Sequence, residues 1–472
     1  MTSQRPRGRA TTFAPASGNL SRRDIIRYGG ALGLAAATVP LLNPTVSAAQ
    51  DAAITITTNN APAENQPEAV KAFEQTIARY EEAHPNITVE ASQDTWDPQT
   101  FPARLAAGTL SDAFVAAYTE PQGIIGRGQA ANVTTYLKQW PYFSSFTPES
   151  LAVVRDGAGE LYGFTLGGYL LGLLYNRDHF TEAGLNPDQP PATWDELRTA
   201  AKTLTANGRA GFVETSSNNQ GGWHFVAWMY SAGGEVISEQ DGKYTAIFNN
   251  DTGVEVLQFL KDMRYTDKSM PERQLLDQND TRQLMATGQV SMCVQAADSL
   301  PYIRDTFADA DINQFGLSIL PQNGGNATLA GGTVWMFNPK SSPEVLAAAV
   351  DFSLFREFDL TNLEASLQAD QKRGALIGWP QLPIFTGEFQ AKRQAVFDKY
   401  SNAPVDNYRP FVEGAAGLAL RAEPPIETQQ LYAAIDAAVQ AILTDESADP
   451  RSLLDQAAQQ FQTQVLDPIN AG

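Results

Sequence analysis

From residue 54 onward the chain alternates between two hydrophobic periods, and that alternation restricts its fold more than any other feature. Ile54-Thr55-Ile56-Thr57 has the period of two expected of a half-buried strand. Within residues 67–84, Val70, Phe73, Ile77 and Tyr80 recur at helical spacing, and Pro85 stops the helix. Asn86-Ile87-Thr88-Val89-Glu90 reads as a second strand. Strand, helix and strand in this order form the βαβ unit of a parallel sheet. The pattern continues with a helix at 102–107, a strand at 113–117 and a helix at 122–128, so the spacing predicts an α/β protein. Residues 170–175 are a near-continuous apolar run, as expected in a sheet buried on both faces.

Further along, Thr193 followed by Glu196 has the form of a capping box, which opens a helix running to about 207. Helical spacing recurs at 223–231, 252–265, 280–287, 343–355, 361–369, 389–400, 426–444 and 450–465, with strand-like runs at 290–295, 314–320 and 334–337. The 472 residues are enough for two or three domains. No long low-complexity linker separates them, so several crossing segments are expected to join them.

Residues 1–49 differ from the rest: six arginines stand against the single acid Asp24. An apolar run at 28–42, too short to span a membrane comfortably, ends at Val46-Ser47-Ala48-Ala49, a small-residue cleavage site. Ser21-Arg22-Arg23-Asp24-Ile25-Ile26-Arg27 resembles a twin-arginine export signal. The reading is a soluble exported protein, and its removable leader is set aside from the fold.

The charge balance, 33 Lys+Arg against 53 Asp+Glu, repels nucleic acid and anionic membranes, so neither is an expected partner. One cysteine, Cys293, and three histidines exclude disulfides within the chain and the usual zinc frameworks. Asp309-Ala310-Asp311-Ile312-Asn313 lacks the glycine and the closing glutamate of a calcium loop and reads as a turn. No metal or cofactor is expected. Nucleophile elbow, P-loop, HExxH and dinucleotide motifs are absent, and with them the usual signs of an enzyme.

Several blocks in fixed order resemble family 1 extracellular solute-binding proteins, the carbohydrate-specific group that includes maltodextrin-binding protein. They are Leu161-Tyr162-Gly163, Leu173-Leu174-Tyr175-Asn176-Arg177-Asp178, Ala183-Gly184-Leu185 and the segment 190–197. Upstream, Leu105-Ala106-Ala107-Gly108-Thr109-Leu110-Ser111-Asp112 fits except for Ser111, where the family has proline. Downstream, Thr287-Gly288-Gln289-Val290-Ser291-Met292 and Gly331-Gly332-Thr333 fit as well.

The resemblance, which covers 52–465, implies a periplasmic-binding-protein fold: two discontinuous α/β lobes that close on a ligand at hinge strands. Lobe one is expected at 50–164 and 296–355, lobe two at 165–295 and 356–472, with crossings near 164–169, 295–298 and 354–359. The implied function is that of the binding component of an ABC importer. It would be a monomer that captures a sugar or oligosaccharide and passes it to a membrane permease.

A hydroxyl-rich ligand needs flat aromatic platforms and a few placed amides and carboxylates. Trp223, delivered by the polar loop 216–222, stands where the family carries a sugar-stacking aromatic; lobe packing is the alternative. Trp96 and Asp97 follow the second strand, and Glu120 follows the third at the carboxyl edge, where open α/β sheets bind ligands. By position in the family, Tyr169, Gln295, Asp298, Gly332, Thr333 and Trp335 lie at the hinges, with hinge packing as the alternative for each. Trp379 is a further candidate, whereas Trp140, Trp194 and Trp228 are assigned to structure.

The runner-up ligand is a glycerophosphodiester or another polyol. A buried phosphate calls for basic groups, and the loops around Trp96, Glu120 and Trp223 hold none, although Arg104, Arg127 and Arg409 are near in sequence. A carbohydrate-active enzyme needs only two suitably spaced carboxylates, which no linear sequence excludes.

Overall fold

A computed structural model describes residues 52–471; the expected leader lies outside them. Its ten strands are β1 (Ile54–Thr58), β2 (Ile87–Ala91), β3 (Ala113–Ala117), β4 (Gly163–Asn176), β5 (Ile237–Gln240), β6 (Lys243–Ala246), β7 (Met292–Ala296), β8 (Phe315–Ile319), β9 (Ala327–Phe337) and β10 (Ala419–Ala422). Eight form one mixed sheet in the order β2-β1-β3-β9-β4-β7, with β10 added to β9 and β8 to β4; β5 and β6 make a separate hairpin. The βαβ start is present, with β1 parallel to both β2 and β3.

Local chemistry sets the element ends. Pro67 begins the Pro67–Ala83 helix, whose apolar stripe buries Tyr80. The Thr193 hydroxyl accepts from the Glu196 amide at 3.2 Å, and the Glu196 carboxylate accepts from the Thr193 amide at 3.2 Å. This capping box opens the Trp194–Leu204 helix. β4 and β9 are both longer than the spacing predicts. The glycine pairs that break their apolar runs face one another across the sheet, Gly168 opposite Gly332 and Tyr169 opposite Gly331.

Apolar side chains gather in two main cores. The first holds Phe114, Phe164, Trp335 and Phe352. The second holds Leu171, Leu173, Phe225, Trp228 and Leu431. Leu170 and Leu174, on the other face of β4, join a third cluster with Leu317, Tyr408 and Phe411.

The chain divides between these cores differently from the expected lobe boundaries. Leu300, Ile303, Phe315 and Leu317 pack in the third cluster rather than with lobe one. Phe358, Ile384, Phe385 and Phe389, expected in lobe two, pack in the first core. A strand that crosses between lobes has to pair in both halves of the sheet. β4 and β9 do so: β9 lies on β3 and β4 at one end and on β10 at the other. β7, the expected second crossing, pairs with β4 in the second half alone. The expected third crossing falls in the Pro343–Phe358 helix, which stays in the first core.

Candidate ligand-binding cleft

Where β4 and β9 pass between the cores their backbones nearly touch. A Cβ on Gly332 would lie 2.3 Å from the Gly167 carbonyl oxygen, and β4 carries a bulge between Thr165 and Gly167. Two tyrosines flank this crossing. Tyr118, at the end of β3, donates its amide to Gly332 at 3.0 Å and its hydroxyl to Thr165 at 3.0 Å. Tyr169 lies on β4 with its hydroxyl over Gly331, filling the space a side chain there would need.

From the second core the Gln220–Ser231 helix brings Trp223 edge-on to Tyr169, with ring centroids 5.9 Å apart at 84°. That helix start is held by buried Asp436, which accepts from the Gly221 amide at 2.8 Å and the Asn219 amide at 3.2 Å. Gly222 packs directly on the Tyr432 backbone, where a Cβ would clash at 2.1 Å. Tyr432 in turn donates its hydroxyl to Glu423 at 3.1 Å. The Trp223 Nε1 is buried and has no hydrogen-bond partner among the described residues.

Two carboxylates approach from opposite cores. Glu120 immediately precedes the Pro121–Gly126 helix beyond β3 without capping it, and the Thr119 hydroxyl donates to its carboxylate at 3.1 Å. Glu423 follows β10. Burial pushes Glu423 up to about 7, with the Glu120 charge adding in the same sense. Burial also raises Glu120, against the opposing pull of Arg127. The Tyr169 phenol is raised by burial and by the charges of Glu423 and Asp298. The arrangement offers aromatic edges and faces, an indole donor and two acceptor carboxylates.

The other candidates fall in different places. Trp96 packs on Phe101 and Phe114 at the rim of the first core, its Nε1 buried and unpartnered among the described residues. Exposed Asp97 accepts from the Gln99 amide at 2.9 Å, which lowers its pKa. Asp298 is exposed and pairs with Arg282 at 2.9 Å. Thr333 sits in β9 beside Gly332. Three expectations need correction. Gln295 is fully buried and spends its amide internally, donating to Thr281 at 2.8 Å and accepting from Ser299 at 2.6 Å. Trp335 is also fully buried, in the first core, and donates to Glu357 at 3.3 Å. Trp379 lines a cavity whose Leu170 wall belongs to the opposite face of β4 from Leu171, so it stands behind the crossing.

Glu423, Tyr432 and Tyr118 were absent from the sequence-based candidates. The available signal was the acid directly before Pro424-Pro425, where β10 gives way to the long Thr428–Thr444 helix.

Two α/β cores sharing one sheet, joined by strands that cross beneath an aromatic and acidic cleft, define a protein of the periplasmic-binding type. The chain belongs to the bacterial extracellular solute-binding protein family, whose model matches residues 63–354. Among relatives, it is 27% identical over 306 residues to the sn-glycerol-3-phosphate-binding periplasmic protein UgpB of Yersinia enterocolitica, a match covering 60% of this chain and 62% of that protein. It therefore spans about three fifths of that relative's length. Solved structures of the same fold include maltose-bound MalE3 of T. maritima, with TM-score 0.65 and 22% identity over 88% of this chain and 100% of that one. UgpB of Mycobacterium tuberculosis in complex with glycerophosphocholine is another, with TM-score 0.67 and 18% identity over 87% of this chain and 98% of that one.

Proposed function

We propose that this chain is the exported substrate-binding component of an ABC importer, capturing a sugar, oligosaccharide or related polyol between its lobes and delivering it to a membrane permease. The carrying observation is the pairing of Trp223 and Tyr169 beside the acceptor Glu423. Hydroxyls donate to carboxylates, while the C–H faces of a sugar lie against aromatic rings. Tyr118 and Glu120 come from the first core; Trp223, Tyr432 and Glu423 come from the second. A ligand gains both sets only when the lobes shut, and that difference selects the closed form. We place lobe one at 52–165 and 333–389 and lobe two at the remainder of the described chain. The protein works as a monomer without catalysis, and the leader is removed through the twin-arginine route.

A glycerophosphodiester is the second reading, favoured by the relatives named for glycerol 3-phosphate. Against it, the three arginines near the candidate loops are already faced by acids, Arg104 by Asp94, Arg409 by Asp406 and Arg127 by Glu120; in its favour, Arg421 of β10 lies two residues before Glu423, over the Tyr230 ring, although it is paired with Glu235.

A thermal-shift screen with mono- and oligosaccharides, polyols and glycerophosphodiesters tests the proposal, because a ligand specific to the native state raises the midpoint by mass action. Stabilisation by a neutral sugar or polyol, without turnover, is the expected result. Stabilisation by phosphodiesters alone selects the second reading, and hydrolysis of a stabilising sugar refutes the binding role. N-terminal sequencing of protein from the native host tests leader removal.

A further inference from the structure

The cavity behind the crossing has a volume of about 550 Å³. Its floor is Leu166, Gly167 and Leu170 of β4, and its walls include Trp379, Leu382 and Phe411. Tyr169 and Leu171, one residue either side of Leu170, pack with the second core, so the cavity and the cleft occupy opposite faces of the same strand. It is not a simple apolar gap.

Two residues that line it each carry a buried donor without a partner among the described residues. Tyr408 is 1% exposed, and its hydroxyl has no partner among the described residues. The Arg393 guanidinium lies over the rings of Phe358 and Phe385, 5.4 Å from each centroid, and its Nη1 is buried and likewise without a partner among the described residues. The nearest opposing charge, Glu357, is already engaged by Arg356 at 3.0 Å and Trp335 at 3.3 Å. Burial lowers Arg393 to about 10, which leaves it cationic at neutral pH. A protein seldom leaves buried donors unpartnered, and a small turn of either side chain toward the cavity would bring it to an acceptor carried by a guest.

We propose that this cavity is a second binding site, taking a small amphiphilic carboxylate whose anionic head pairs with Arg393 and the Tyr408 hydroxyl while its apolar body lies on Trp379 and Phe411. The walls supply burial for a hydrocarbon, and the cation selects the charge.

Calorimetric titration of the full chain with octanoate and with 1-octanol tests this. Octanoate is expected to bind one to one and at least tenfold more tightly than the uncharged alcohol. Arg393→Gln should abolish that preference while leaving 1-octanol binding unchanged. Val412, 58% exposed at the cavity rim, provides a variant with little bearing on folding. Val412→Glu should weaken octanoate severalfold, and Val412→Lys should strengthen it. Absence of octanoate binding, equal affinity for the alcohol, or octanoate binding indifferent to both Arg393→Gln and the Val412 charge pair would overturn the proposal. A failure here leaves the sugar screen untouched, since the two sites lie on opposite faces of β4.

Discussion

The Tyr432 hydroxyl donates to Glu423 across 3.1 Å, tying the long C-terminal helix to the carboxylate that follows β10. Tyr432 also carries Gly222 on its backbone, so the acid, the phenol and the helix that presents Trp223 are set as one unit.

Glu423 should make the empty protein less stable as pH rises. Its folded pKa of about 7 lies above the ordinary carboxyl value, so the unfolded chain gives up this proton first. Stability from this group is full below about pH 4.3 and is lost as pH climbs through 7, by at most about 4 kcal/mol. Glu423→Gln should therefore raise the melting temperature at pH 8 and leave it unchanged at pH 4. A variant less stable than wild type at pH 8 contradicts the assignment.

Trp223 and Trp335 should separate binding from folding. Trp223→Ala is expected to weaken the ligand found by the screen at least tenfold, with Trp223→Phe intermediate. Trp335→Ala opens a void in the first core and should cost about 3–5 kcal/mol in urea unfolding. Equal loss of ligand affinity in the two variants would remove Trp223 from the cleft.

Gln295 serves stability alone. Gln295→Leu leaves the Ser299 hydroxyl without its acceptor and removes one donor to Thr281, whose own hydroxyl still donates to Gln278, and should destabilise by about 1–3 kcal/mol. Ligand affinity, measured by calorimetry, should stay within twofold of wild type.

Gly332→Ala pushes a methyl group into the Gly167 carbonyl, and the two strands must part to admit it. Overpacking of this kind costs about 1–3 kcal/mol, and here it falls on the crossing itself. Ligand affinity should drop along with the melting temperature, whereas Gly126→Ala, with open space around its Cβ, should change neither.

Much of this arrangement was legible before the structure. The βαβ start, the Thr193 capping box and the helix that begins near Trp223 rest on local chemistry that a sequence states directly, whereas the meeting of Trp223 with Tyr169 comes only with the fold. The second crossing was misplaced because β7 and β9 carry similar apolar runs, and only pairing partners distinguish a strand that passes between cores from one that stays inside. Trp335 and Gln295 illustrate the same gap at the level of a side chain. A strand alternates faces, and which face meets the cleft depends on β3, β4 and the helices packed against them. Glu423 and Tyr432 lie more than 250 residues after Tyr169, too far for any spacing rule to join them.

The bulge at Leu166 and the glycine pairs at 167–168 and 331–332 lie side by side on strands that hydrogen-bond to each other along the crossing. Neither strand can flex alone without tearing that ladder, so the two bend together like the leaves of one spring. The motion expected of such a join is a swing of the two halves about that narrow band, with sideways slip opposed by the paired strands.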